Sequence, residues 1–128
     1  FERAEVLTEQ AYLAAGLGMD FTNAATWLRD AASLRGEDAA AVQLLLDAGH
    51  FHFYAERSLK AASAFNEAAE LAIELGDHGQ AALAFRNAAF AANRAGDVES
   101  ARSLMARSQQ LAVEATIVAS DFGVAQTR

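Results

Sequence analysis

The chain contains no proline among its 128 residues, whereas an average chain of this length would hold roughly six. Proline interrupts a helix because its ring removes a backbone donor and clashes with the preceding turn. Alanine, the residue with the highest helix propensity, makes up about a quarter of the chain. The lack of proline and the excess of alanine together predict an all-α fold.

Cysteine is also absent, which excludes disulfides, a thiolate nucleophile and a zinc–thiolate site. Cytosolic and exported domains can both lack cysteine, so export stays open, although we expect a cytoplasmic protein. Apolar runs are only a few residues long, far short of the roughly 20 that cross a bilayer. No basic amphipathic face stands out, and a membrane partner is therefore not expected.

Basic residues are few, since the formal net charge is −7 and Lys60 is the single lysine. Neutralising the phosphates of a nucleic acid needs a basic patch, so we do not expect such a partner. The preference for arginine over lysine, together with the alanine excess, fits a GC-rich bacterial genome. Residues 1–128 have the length of a single domain. Because the first residue is Phe1 rather than methionine, we expect a piece of a longer product.

Glycine and aspartate recur along the chain and divide it into six predicted helices. An aspartate near the start of a helix can cap it, because the carboxylate accepts from the first free backbone N–H groups. The candidate caps are Asp20, Asp38, Asp77 and Asp97. The predicted helices span about 3–17, 20–35, 38–54, 58–75, 78–95 and 97–119, with an uncertainty of two to four residues at each end. Residues 54–58 contain no glycine, so the third and fourth helices could also run together.

Apolar residues follow helical spacing rather than strand alternation. In the fourth helix Leu59, Ala62, Phe65 and Ala69 recur at three- and four-residue steps. Acidic residues of the same helix fall elsewhere and suggest a solvated face rather than acid–base catalysis; these are Glu67, Glu70 and Glu74. No pattern of catalytic residues appears, and we do not expect an enzyme.

Three stretches of the chain repeat an arrangement of small and large apolar residues around a turn. In residues 82–115 the pattern comprises Phe85, Ala88-Ala89, the turn Gly96-Asp97, and then Ala101, Met105 and Ser108. Residues 42–75 match through Gly49, Ala61, Phe65 and Ala68, and residues 5–38 match through Ala24, Leu28 and Ala31. These positions resemble the tetratricopeptide repeat, a pair of helices 34 residues long. The resemblance covers nearly the whole chain.

The chain departs from that family in three respects. Ala92 stands at the family's tyrosine position, and the closing proline is missing throughout. The units begin near residues 5, 42 and 82, which are steps of about 37 and 40 rather than 34. We therefore describe the chain as tetratricopeptide-like. The resemblance implies a right-handed α-solenoid of three antiparallel helix pairs.

In such repeats, the first helices of successive pairs line a concave groove that holds an extended peptide or a partner helix. Transferring the family's groove positions gives twelve candidates: Glu9, Leu13, Gln43, Leu46, His50, Phe53, Tyr54, Leu83, Arg86, Phe90, Asn93 and Arg94. Arginine can fork to carboxylates, and asparagine can bond to main-chain groups. The lysine–asparagine–arginine clamp of some relatives is not reproduced, so a C-terminal peptide ligand is not implied.

Other interpretations of these candidates remain open. Phe53, Tyr54 and Phe90 fit the core of a small helical domain as well as a groove. Arg86 and Arg94 lie eight residues apart, about two helical turns, so they could face one side together or pair with nearby acids. The sequence leaves both alternatives in place.

The run from His50 to Tyr54 combines histidine and aromatic residues and suggests a metal site at first sight. On a helix, however, residues two apart point about 200° away from each other, so His50 and His52 cannot share an ion. We therefore expect neither a metal nor another cofactor.

The leading hypothesis is a non-catalytic module that binds a peptide or a partner protein in its concave groove. The alternative is a self-associating or spacer domain of a larger protein, because the ends of a repeat array must be polar to stay unpaired. The first helix, with Val6, Tyr12, Leu13 and Leu17, is poorly protected in this respect. The last helix resembles a polar cap through Arg102, Arg107, Gln109, Gln110 and Glu114.

Overall fold

The computed structural model describes residues 2–18 and 20–127, and it describes side chains for residues 3–17 and 20–117. Within these ranges the chain forms six helices: α1 (Glu2–Gly18), α2 (Phe21–Arg35), α3 (Ala39–Tyr54), α4 (Ser58–Glu74), α5 (His78–Arg94) and α6 (Val98–Thr127). The predicted all-α fold class is confirmed. Predicted and observed helix ends agree to within one residue, except that α6 continues to Thr127 instead of ending near residue 119.

All four predicted aspartate caps are present. The carboxylate of Asp38 accepts from the backbone N–H of Ala41 at 2.8 Å. Bonds of the same kind join Asp20 to Asn23 at 3.2 Å, Asp77 to Gln80 at 3.0 Å, and Asp97 to Ser100 at 3.2 Å. The backbone bond from Ala41 lowers the pKa of Asp38, and the side-chain and backbone bonds from Ser100 lower the pKa of Asp97, since an accepted hydrogen bond favours the charged carboxylate.

Each helix packs mainly against its neighbours in sequence. Contacts between helices that are two apart in sequence show which helices share a face. On one side α1, α3 and α5 meet: Tyr12 donates to Asp47, and the guanidinium of Arg94 lies over the Phe53 ring. On the other side α2, α4 and α6 meet through the ion pairs Arg29–Glu67 and Arg107–Glu70, both at 2.8 Å. We call these sides the odd-helix face and the even-helix face.

A triplet of small, large and small residues recurs at corresponding places in five successive helices. Its members are Ala24-Leu28-Ala31, Ala41-Leu45-Ala48, Ala61-Phe65-Ala68, Ala81-Phe85-Ala88 and Ala101-Met105-Ser108. From α3 onward the triplet returns every 20 residues, whereas the step from the shorter α2 to α3 is 17. All members in α2 to α5 are buried. The triplet therefore recurs once in each helix from α2 to α6, and each predicted step of about 37 or 40 residues spans two such helices.

The turns between α3 and α6 share one geometry. Each contains a residue with positive φ: Glu56 at 60°, Gly76 at 79° and Gly96 at 88°. The next residue donates its backbone N–H back to the preceding helix, as Arg57 does to His52 and Asp77 does to Ala72, both at 2.9 Å. This bond defines a left-handed helix end. The third and fourth helices therefore do not run together, although a glutamate stands where the later turns have glycine.

Replacing Glu56 by glycine should raise the free energy of unfolding by about 0.5–1 kcal/mol. A side chain in the left-handed region costs about 1–2 kcal/mol, and removing it gains this amount. Part of the gain is offset because glycine loses more chain entropy on folding. Gly76→Ala, at the equivalent position, should lower it by about 1 kcal/mol. Urea unfolding followed by the fluorescence of Trp27, which packs against the core, measures both. An unchanged or lower stability of the Glu56→Gly variant would contradict the left-handed backbone conformation of Glu56.

Candidate functional site

A hollow of about 260 Å³ opens on the odd-helix face between α3 and α5. His50, Phe53 and Tyr54 line it from α3, and Asn87 and Phe90 line it from α5. The fourth helix contributes Phe65. We call this hollow the α3–α5 groove.

Two of the large rings in the groove stand largely in solvent. Tyr54 is 60% exposed and Phe90 is 56% exposed, so the interpretation of these residues as core is wrong. Phe53 is partly buried and packs against the core. The groove is thus a surface on which aromatic side chains are held outside the interior of the domain.

The backbone of α3 approaches the Phe65 ring so closely that only glycine fits at position 49. A β-carbon on Gly49 would lie 2.6 Å from Cε1 of Phe65, far inside ordinary contact. The corresponding residues of the next two helices are Ala69 and Ala89, 20 and 40 positions later. His50 packs against the Phe65 ring in an edge-to-face contact, with ring centroids 5.0 Å apart. The packing of α3 on α4 therefore sets the shape of the groove.

Two arginines of α5 lie beside the groove. The guanidinium of Arg86 is 5.9 Å from the centroid of the Phe90 ring, and that of Arg94 is 5.6 Å from the Phe53 centroid. Both side chains are exposed, and neither forms an ion pair within the part of the chain whose side chains are described. The alternative that these arginines serve to pair with nearby acids is therefore not what the structure shows.

The groove differs in charge from the rest of this acidic chain. Helix α5 contains no aspartate or glutamate, and the single acid of α3 is Asp47. Its carboxylate accepts from Tyr12 and, at 3.0 Å, from Gln43. Burial and this carboxylate raise the pKa of Tyr12. Between α3 and α5 the charge is therefore neutral to positive on a chain of net charge −7.

Several predicted site residues lie elsewhere. Gln43 lines a second hollow of about 370 Å³ between α1 and α3, together with Glu9 and Arg35, and does not reach the α3–α5 groove. Leu46 is buried in the core, so its assignment to the groove is wrong. Three other candidates are exposed without lining the groove: Leu13, Leu83 and Asn93.

Two residues that line the groove were not predicted from the sequence. Asn87 lies three residues before Phe90, one helical turn away, and that spacing is the signal that could have identified it. Phe65 belongs to a second helix of its predicted pair, from which the resemblance takes no groove residues. Its place below the groove follows from the contact with Gly49, which the sequence pattern did not reveal.

The two histidines of the run from His50 to Tyr54 point to opposite faces, as their helical spacing predicts. His50 lines the α3–α5 groove, whereas His52 is buried and borders a hollow of about 230 Å³ on the even-helix face, beside Arg29, Asp30 and Lys60. Among the described residues, no three histidine, aspartate or glutamate side chains stand close enough to hold a metal ion.

Replacing Gly49 by alanine should lower the free energy of unfolding by about 1 kcal/mol, because overpacking costs about 1–3 kcal/mol and the better helix propensity of alanine returns up to about 1 kcal/mol. Gly16→Ala is the matched control, since a β-carbon there meets no atom within 4 Å. It should raise stability by about 0.5–1 kcal/mol. Adding Phe65→Leu to Gly49→Ala should recover part of the loss. Equal stabilisation by both alanine substitutions would contradict the close contact.

Lowering the pH should destabilise the fold through His52. Burial, and then the charges of Arg57 and Lys60, lower the pKa of this imidazole, and its Nδ1 atom has no hydrogen-bond partner among the described residues. The unfolded chain takes up the proton near pH 6.5, whereas the folded chain resists it. The contribution of neutral His52 to the free energy of unfolding is thus fully present above about pH 6.5 and is lost as the pH falls toward the lower folded-state pKa.

Urea unfolding at pH 7 and pH 5 measures this effect. His52→Ala should reduce the loss of stability between the two pH values, and alanine suits the position because Ala72 and Ala92 occupy it in the next two helices. An identical pH dependence in the variant and the parent chain would contradict the neutral, buried histidine.

The fold and groove define an all-α stack of repeated helices with an aromatic surface on one side. None of the described helices is both long and apolar enough to cross a membrane. A comparison of the chain with models of known protein families finds no match, and a comparison with curated proteins finds no significant similarity. Membership of the tetratricopeptide repeat family therefore stays a prediction.

Proposed function

We propose that the chain is a non-catalytic interaction module and that its α3–α5 groove binds a peptide segment of a partner protein. The observation that carries this proposal is the exposure of Tyr54 and Phe90 on the odd-helix face. Aromatic side chains in a hollow on a folded surface supply much of the binding energy at protein interfaces. Exposing them without a partner leaves apolar area in water, which is unfavourable.

Polar groups beside these rings support a peptide as the ligand. His50 and Asn87 line the same hollow and can exchange hydrogen bonds with a main chain that passes across it. An extended peptide has unpaired backbone donors and acceptors that must be satisfied on binding. The groove thus combines apolar contact area with polar groups that can fix the position of a peptide.

Binding of an unselected peptide library tests this function. A displayed library should enrich on the parent chain, and Phe90→Ser should lower the affinity of the selected peptides by about tenfold or more, since it removes a central ring. Leu59→Ser is the matched control, because Leu59 is 65% exposed on α4 of the even-helix face. Absence of enrichment, or equal binding by the Phe90→Ser variant, would contradict the proposal.

Self-association is the second candidate function, and α1 provides the observation in its favour. Val6, Leu13 and Leu17 are 50%, 53% and 85% exposed, and they lie on the side of α1 opposite the buried Ala4 and Ala11. The first helix of the stack therefore presents an uncovered apolar stripe, as an end without a polar cap would.

The last helix, α6, forms the opposite end of the helix stack and is only partly polar. In α6, Arg102, Gln109 and Gln110 are exposed, as a cap requires, but Val113 and Ile117 are also more than half exposed. The prediction of a polar cap is thus correct for one part of α6 and wrong for another.

Light-scattering mass distinguishes the two functions. If the chain pairs through its first helix, a dimer should form and Leu17→Ser should weaken it, while Phe90→Ser should leave the mass unchanged. A dimer that is lost on Phe90→Ser would instead place the groove inside a self-association interface and contradict the peptide-binding proposal.

A further inference from the structure

We infer that the ligand of the α3–α5 groove is an extended acidic segment, an inference that rests on the proposed peptide-binding function. It carries two acidic side chains four residues apart and a large apolar side chain midway between them. The apolar side chain fills the hollow beside Phe90, and the two carboxylates meet Arg86 and Arg94.

The spacing of the two arginines carries this inference. Arg86, Phe90 and Arg94 follow one another at four-residue steps and form a single stripe along α5. At 1.5 Å per residue, the two arginines are about 12 Å apart along the helix. An extended chain advances about 3.3 Å per residue and alternates sides, so residues i, i+2 and i+4 face the same way and the outer two are about 13 Å apart. An acid–x–apolar–x–acid segment therefore matches the stripe of cation, ring and cation.

The size of the hollow favours an extended ligand over a helical one. Its volume of about 260 Å³ accepts one large side chain, between Phe53 and Phe90 and next to Phe65. A helix is about 10–12 Å wide and would stand on the exposed rings instead of entering between them. In a helix, moreover, the two acids would have to be eight residues apart to reach both arginines.

The charges of the groove favour acidic side chains in the ligand. No acid of α5 competes for the arginines, and Asp47 is already engaged by Tyr12 and Gln43. Each guanidinium lies within cation–π distance of one ring, a contact that leaves its N–H groups able to donate to a carboxylate. Because the whole chain is negative, long-range attraction of an acidic ligand is absent, and recognition depends on these two arginines at short range.

Labelled synthetic peptides test the inference by fluorescence anisotropy with the full chain. The first peptide has glutamate at positions i and i+4 and phenylalanine at i+2, and its matched control has glutamine at both acidic positions. The acidic peptide should bind about three- to thirtyfold more tightly at low salt, since two exposed ion pairs contribute that much. The difference should narrow in 0.5 M salt because exposed charges are screened.

Protein variants assign each carboxylate to one arginine. Arg86→Gln should remove the benefit of one glutamate and Arg94→Gln that of the other, so that each variant is insensitive to glutamine at a different peptide position. Arg102→Gln, at an exposed arginine of α6, should change nothing. The pairing also gives the direction in which the peptide runs along α5.

Failure of this inference can be distinguished from failure of the proposed function. Equal binding of the glutamine peptide, still lost on Phe90→Ser, would overturn the acidic ligand and leave peptide binding in place. Tighter binding of a helical peptide with acids eight residues apart would overturn the extended segment. Absence of binding by these peptides and by the unselected library would overturn both proposals.

Discussion

The packing of a large side chain against a small residue of the neighbouring helix determines how closely successive helices of this chain approach one another. It is closest where the Phe65 ring meets Gly49, at a distance that leaves no room for a β-carbon. Because alanine fills most other small positions, successive helices approach closely. Three of the helices, α2, α4 and α5, each bury a single large side chain, namely Leu28, Phe65 and Phe85, whereas α3 buries three leucines. A core made in this way has little space for further rings, so Tyr54 of α3 and Phe90 of α5 are exposed and Phe53 is only partly buried.

The alternation of helices separates two surfaces with different charge. On the even-helix face, Arg29 and Arg107 are paired with glutamates, and such exposed pairs contribute little to stability because water screens them. On the odd-helix face, the arginines of α5 lie over rings and have no described acidic partner. Both the exposed rings and the uncompensated cations therefore occur at the α3–α5 groove, which is the physical basis for proposing that a ligand binds there.

The helices and caps were predictable because their signals are local. Asp77 caps α5 through a bond to a residue three positions on, and that relation is visible in the sequence. The positions of His50, Tyr54 and Phe90 on one side followed from helical spacing and the resemblance. Residues whose surroundings depend on another helix were not predictable in this way. Leu46 is buried because α3 is covered by both α2 and α4, and Phe65 reaches the groove because position 49 lacks a side chain.

NMR can locate the surface of the chain on which the ligand binds. The ¹⁵N-labelled chain would be titrated with the acidic peptide while backbone amide shifts are followed. Binding in the α3–α5 groove should concentrate the changes on α3 and α5, around His50, Tyr54 and Phe90, and spare the even-helix face. Saturating changes confined to α1, or to the face that carries Arg29 and Glu67, would contradict it.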